Sequence, residues 1–269
     1  MVPTSKFLRN KLPLVLLLAT LLLAFSVPEL MAQDDVEAAE GDGTKSLMTK
    51  VIDAGPFMLP IGILSIAMIT LAVFNLLQLN KKKFVPNALK ENVLANMADV
   101  RVRSAIDLSA QDPSYLGRML TSALPSVDAT DPETLGRTKV EDGIADFSVR
   151  ENPRYMTWIG YFSVIAQAAP MIGLFGTVAG MVMAFDTMGL SGGSDPGQLA
   201  QNISLALMTT AGGLVVAIPS IFCFYIFKNK FNSLVADAQA VAAEGMDLAV
   251  ATVNADQQLA KVPEGISEG

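Results

Sequence analysis

The chain has 269 residues, of which 51% are apolar and only 17% charged, with a mean hydropathy of +0.43. That balance belongs to a membrane-embedded protein rather than a soluble domain, and a net charge of −7 offers no basic surface for nucleic acid. With no histidine and a single cysteine, Cys223, the chain is short of parts for most enzyme chemistry, for disulfides and for Cys/His metal sites.

Residues 1–32 carry Lys6, Arg9 and Lys11, then the apolar run Leu14–Phe25, then Pro28 and Ala32. This order predicts a secretory signal peptide cleaved after Ala32, the alternative being a retained anchor helix. Leu30 departs from the small residue such a site prefers. Residues 33–55 open as an acidic extracytoplasmic stub, after which Leu47, Met48, Val51 and Ile52 share one face of a short helix suited to the membrane surface.

The first mature span is predicted over 56–80. No charge falls between residues 54 and 80, which suffices for the ~20 residues a bilayer requires. Lys81, Lys82 and Lys83 follow and mark the cytoplasmic side. Residues 81–154 hold eleven basic and eleven acidic residues with helical periodicity, punctuated by Pro113, Pro125 and Pro132. They predict a cytoplasmic domain of two or three helices, the last running on into the membrane. Asp131-Pro132-Glu133 predicts a helix start, with the Asp as cap and the Pro at the first position.

The second span, 155–186, follows Arg154 with thirty-one uncharged residues. At ~1.5 Å per residue it outruns a ~30 Å hydrocarbon core and should project beyond it. Residues 187–201 form a loop without Lys or Arg, as expected outside; Asp186 and Asp195 sit at the outer mouth, where they could attract cations but read as ordinary solvated charges. The third span, 202–227, is closed by Lys228 and Lys230, and Phe231, Leu234, Val235, Ala238, Val241 and Ala242 extend a helical stripe into the cytoplasmic segment 228–269. The fold class is therefore all-α and membrane-embedded, with three mature transmembrane helices extending into a cytoplasmic helical domain.

The most informative stretch runs from Ala169 to Pro219. The second span places Ala169, Gly173, Gly176, Gly180 and Ala184 at three- and four-residue steps, and the third does the same with Ala206, Thr210, Gly213, Ala217 and Ser220. In lipid, such small-residue faces let helix backbones approach closely. The apolar runs 56–80, 155–185 and 202–227 contain no Asp, Glu, His, Lys or Arg, so a titrating group at mid-membrane must come from another chain. Thr177 and Thr210 are the candidate polar groups beside such a carboxylate, since a hydroxyl can donate to it, accept from it or hold water. Thr209 and Ser204 are secondary candidates. Each hydroxyl can equally bond a carbonyl one turn back and serve packing alone. Gln167 reads as a buried amide able to bond between helices or subunits. Pro170 and Pro219 each free a carbonyl one turn earlier and could form a hinge or a plain kink. Gly-Leu-Phe-Gly lacks the Lys of a phosphate loop, and no cofactor motif is present.

Taken together, APMIGLFGTVAGM and ISLALMTTAGGLVVAIP resemble the MotA/TolQ/ExbB proton channel family, its ExbB/TolQ branch in particular, most specifically over Ala166–Tyr225. The resemblance implies a homopentameric ring in the bacterial inner membrane around a dimer of a single-span ExbD/TolR-like protein that carries the mid-membrane Asp. Proton flow through that assembly would drive a TonB-like transducer, or a TolA-like one in envelope maintenance. By motif position, Thr177 matches the threonine of Gly-Leu-x-Gly-Thr-Val and Thr210 that of Ala-Thr-Ala-x-Gly-Leu, both lumen-facing in the family. One departure is Leu205, where ExbB and TolQ proteins often carry Glu within Ile-x-Glu-Ala-Leu. The flagellar branch, with four spans and an inside start, fits less well.

Overall fold

The computed structural model describes residues 58–131, 133–190 and 196–260. The signal segment, the stub and its surface helix, and the last residues of the tail lie outside the described residues. Every regular element described is helical. In chain order these are α1 (Met58–Gln78), α2 (Lys81–Phe84), α3 (Asn87–Ala98), α4 (Val102–Gln111), α5 (Tyr115–Ala123), a 3₁₀ turn at Leu124–Ser126, α6 (Arg137–Leu190) and α7 (Pro196–Ala260). Three helices, α1, α6 and α7, are long and apolar enough to cross a membrane. Helix α6 continues to Leu190 and α7 begins at Pro196, so helix occupies much of the segment expected to be loop, leaving residues 191–195 outside the described residues.

The chain divides into two units. The first comprises α1 as far as Phe74, α6 from Trp158 and α7 to Phe227. Its helices are apolar around their whole circumference, the pattern of helices whose outer surface meets something other than water. On α1, Ile61, Met68 and Ala72 are buried while Leu59, Ile63, Ile66 and Val73 are exposed. Inside, Ile159, Phe162 and Ile165 of α6 and Val216, Cys223 and Phe227 of α7 are buried. The Phe162 and Phe227 rings stack at 5.4 Å. Cys223 is buried and carries a free thiol.

The second unit comprises residues 75–157 and α7 from Lys228. More and shorter helices form here than the two or three expected, because the chain is broken by specific caps. Asn80 caps α2 by accepting from the Lys82 N–H, and Pro86 precedes α3. Asp112 accepts from the Ser114 N–H at 2.8 Å, and Ser114 then caps α5 by accepting from the Gly117 N–H at 3.1 Å. Between α3 and α4, Val100 turns the chain at φ 57°, a left-handed conformation that a β-branched residue rarely adopts. The last carbonyl of α3, Ala98, accepts from the Thr252 hydroxyl of α7 at 2.9 Å.

Asp131-Pro132-Glu133 does not open a helix. Asp131 accepts from the Glu133 and Thr134 N–H groups in cap-like fashion, but Leu135 and Gly136 follow at φ 51° and 68°, and α6 starts only at Arg137. Consecutive left-handed residues cannot continue a right-handed helix. Leu135 is held there by burial, and Asp128 closes the turn through the Leu135 carbonyl and the Lys139 ammonium. Hydrogen bonds from Lys139 and Thr130 hold the Asp128 carboxyl well below the usual carboxylate range.

The core of this unit is an aromatic box. Phe84 stacks on Tyr115 at 4.3 Å, Tyr155 stacks on Phe231 at 5.4 Å, and the two pairs meet edge to face. Burial pushes the Tyr115 phenol up. Its hydroxyl donates to Asn152 at 2.8 Å, while Arg118 donates to Glu151 and to the Tyr155 hydroxyl. The exposed pairs Lys81–Asp237 and Lys90–Glu244 add little to stability, as exposed ion pairs generally do.

Candidate functional site: the α6–α7 contact

The middle of α6 lies directly against the middle of α7, in antiparallel order. Ala169 lies opposite Gly213, Gly173 opposite Thr209 and Thr210, Gly176 opposite Thr209, and Gly180 opposite Ala206. The approach depends on missing side chains. A Cβ on Gly213 would sit 2.5 Å from the Ala169 carbonyl oxygen, and one on Gly173 would sit 2.7 Å from the Thr209 carbonyl oxygen. Ordinary contact begins near 3.4 Å, so glycine alone fits at both places. Gly212 faces α1, where the Met58 methyl lies 2.8 Å from a Cβ position and, as the end of a flexible side chain, could move aside. The sequence offered no spacing signal for that contact, because Met58 is one apolar residue among many.

Three threonines on these two helices stand in three different situations. The Thr209 hydroxyl is buried and bridges the helices, shared between the Gly173 carbonyl of α6 at 3.0 Å and the Ala206 carbonyl of its own helix at 2.7 Å. Thr177, 8% exposed, donates to the Leu174 carbonyl of its own helix at 2.7 Å. Thr210 differs from both: its oxygen is buried and has no hydrogen-bond partner in the chain. A buried hydroxyl left unpaired costs about 1–3 kcal/mol, so Thr210 is a polar atom awaiting a partner.

The other candidate residues are placed as follows. Gln167 is exposed, not buried, and its amide donates to the Ser163 carbonyl and hydroxyl one turn back on α6, both at 3.1 Å. Long amide side chains reach their own helix easily, which lets this one sit on an outer face. Ser204 is exposed, and Ala217 is buried. Pro170 packs its Cα within 3.3 Å of the Gly213 Cβ position, and Pro219 is buried. Both helices run through their prolines without interruption. Ser220, also buried, donates to the Val216 carbonyl at 2.8 Å. Among the described residues of 58–78, 158–185 and 202–227 there is no Asp, Glu, Lys, Arg or His, and no group of acids, histidines or cysteines placed to hold a metal occurs among the described residues.

Comparison with known proteins bears on this same stretch. A Helicobacter pylori protein named "Putative biopolymer transport protein ExbB-like 1" is 41% identical over 78 residues, 29% of this chain and 41% of its own length. The "Biopolymer transport protein ExbB" of Helicobacter pylori strain J99 is 48% identical over 71 residues, 26% of this chain and 49% of its own. The protein of that name from Xanthomonas campestris pv. campestris strain B100 is 31% identical over 105 residues, covering 39% and 42% respectively. The chain thus spans less than half the length of these curated relatives. Residues 111–240, which include both sides of the α6–α7 contact, match the MotA/TolQ/ExbB proton channel family, and over part of its length the chain is similar to these ExbB-named proteins.

Proposed function

We propose that this chain is an ExbB-like channel and motor subunit of the bacterial inner membrane. It would form a homopentameric ring and, with an ExbD/TolR-like single-span dimer, couple the proton motive force to TonB-dependent outer-membrane transport. It performs no enzymatic reaction in this reading, and its start lies outside and its tail in the cytoplasm. The observation that carries the proposal is the buried, unpaired Thr210 hydroxyl in a contact devoid of ionisable side chains. A proton path needs a titrating group, and this chain holds none at that depth. A hydroxyl left without an internal partner is suited to a carboxylate or to water delivered by a second chain. The shortage of hydroxyl and carboxylate oxygens favours H⁺ over Na⁺, because hard cations take several oxygen ligands.

A second reading has one observation in its favour. Thr177 spends its hydroxyl on its own helix, as it would in a non-conducting scaffold held together by small residues. Proton flux separates the two. Vesicles are prepared with this chain alone, with its single-span partner, and with that partner's Asp changed to Asn. Flux only with the intact partner supports the channel; no flux from any correctly assembled complex refutes it. Within the channel reading, a TolQ-like role differs in its phenotype, since loss would impair envelope integrity rather than transport across the outer membrane.

A further inference from the structure

The first unit carries a feature unrelated to the α6–α7 contact. Phe74 of α1 and Trp158 of α6 pack at 5.1 Å with a 57° tilt, and Trp158 meets Tyr161 edge to face at 5.8 Å. These contacts do not hide the rings: Phe74, Trp158 and Tyr161 remain 36%, 43% and 45% exposed. Three adjoining aromatic rings open to one side form a surface, not a core.

Their chemistry and their place in the chain both identify what covers them. Trp and Tyr join a broad apolar ring to one polar atom, the combination that settles where hydrocarbon gives way to headgroups. On each helix the ring lies just inside the edge of the charge-free run. Phe74 precedes Lys81, Lys82 and Lys83 by seven to nine residues, and Trp158 follows Arg154 by four, one turn along α6. Each run therefore passes from apolar residues through an aromatic to cations. That is the order met when leaving a bilayer through an anionic leaflet, whose surface attracts Lys and Arg.

We propose that Phe74, Trp158 and Tyr161 form a lipid-facing anchor seated at the glycerol and headgroup level of the leaflet on the Lys81–Lys83 side, which fixes the depth of α1 and α6. This turns the aromatic face outward from any ring the subunits build. The inference depends on the membrane reading and not on proton conduction, so it survives or fails independently of the flux experiment.

Trp158 is the only tryptophan, and its emission reports on this surface without a label. The full chain is assembled with its partner in vesicles containing anionic phospholipid, and an assembly carrying Trp158→Phe supplies the blank. Quenching is compared for lipid brominated close to the glycerol, lipid brominated close to the chain terminus, and aqueous acrylamide. The expected result is strongest quenching by the shallow bromolipid, about twofold above the deep one. Equal protection from both bromolipids would mean that protein covers the ring, and would overturn the proposal. Stronger quenching by the deep bromolipid, or dominance of acrylamide, would overturn it as well, placing the ring in the hydrocarbon or in water.

Discussion

Replacing Gly173 with alanine tests the α6–α7 contact at its tightest useful point. The new methyl would lie 2.7 Å from the Thr209 carbonyl oxygen and 2.9 Å from the Thr210 Cα, both backbone atoms that no rotamer change can move. Reaching ordinary contact requires α7 to retreat by roughly 0.7 Å. A gap of that size along a packed face forfeits about a quarter to a half of its dispersion energy. Forced overpacking costs about 1–3 kcal/mol, against which alanine recovers about 1 kcal/mol of helix propensity. The retreat also stretches the Thr209 hydroxyl bond to the Gly173 carbonyl, worth ~0.6 kcal/mol in a membrane helix pair. The expected net loss is roughly 1–2 kcal/mol. Gly160→Ala is the internal control: it lies on the same helix with nothing within 4 Å of the new methyl, so it should be neutral or stabilising by up to about 1 kcal/mol. Unfolding is followed by helical circular dichroism in mixed micelles of rising SDS fraction. Gly173→Ala unfolding at or above the midpoint of Gly160→Ala would refute the close-contact argument.

Three further predictions follow from individual side chains. Thr209→Val removes a bridging hydroxyl and should cost ~0.6 kcal/mol in the same unfolding assay, whereas Thr210→Val removes an unpaired one and should stabilise by about 1–3 kcal/mol. Thr210→Val should nevertheless abolish proton flux in the assembled complex, and normal flux would refute its role. Val100→Gly relieves a left-handed backbone and should stabilise by up to about 1 kcal/mol, while Leu135→Gly, at a similar φ but with its side chain 4% exposed, should destabilise by about 2 kcal/mol or more. Asp128, held below its ordinary value by Lys139 and Thr130, binds fewer protons folded than unfolded. Its contribution is therefore complete above the ordinary carboxylate range and fades as pH falls below about 4 toward the lowered value. Asp128→Asn should flatten that acid limb in the pH dependence of the unfolding midpoint, and an unchanged limb would sink the assignment.

Much of the membrane unit was legible because lipid imposes few solutions. Charge-free runs locate the spans, and small residues at three- and four-residue steps mark faces that can approach closely. The faces containing Gly173, Gly176, Gly180, Ala206 and Gly213 are the ones in contact. Which threonine does what was not legible. Thr209 and Thr210 are neighbours rotated by about 100°, and the small-residue stripe includes one while the interhelical bond belongs to the other. Periodicity cannot resolve a rotation that small when both residues are Thr. Gln167 departs from expectation in burial alone: an amide within an apolar run suggests a buried site, but a side chain able to bond its own helix can face outward from the single chain. In the second unit the caps are the difficulty. Asp131-Pro132 has the chemistry of a helix start, and only the left-handed pair at Leu135 and Gly136 defers α6 to Arg137. No local preference predicts a leucine in that conformation; the burial of its side chain supplies the reason.

The solitary thiol of Cys223 has a practical consequence. Because it is the only cysteine and is sealed inside the membrane unit, the native chain is nearly inert toward maleimides and other polar thiol reagents. Any cysteine introduced at an exposed position therefore becomes the single reactive handle on the subunit. Spin labels, fluorophores and cross-linkers can be attached one site at a time, with the native thiol left in place as part of the packing it already serves.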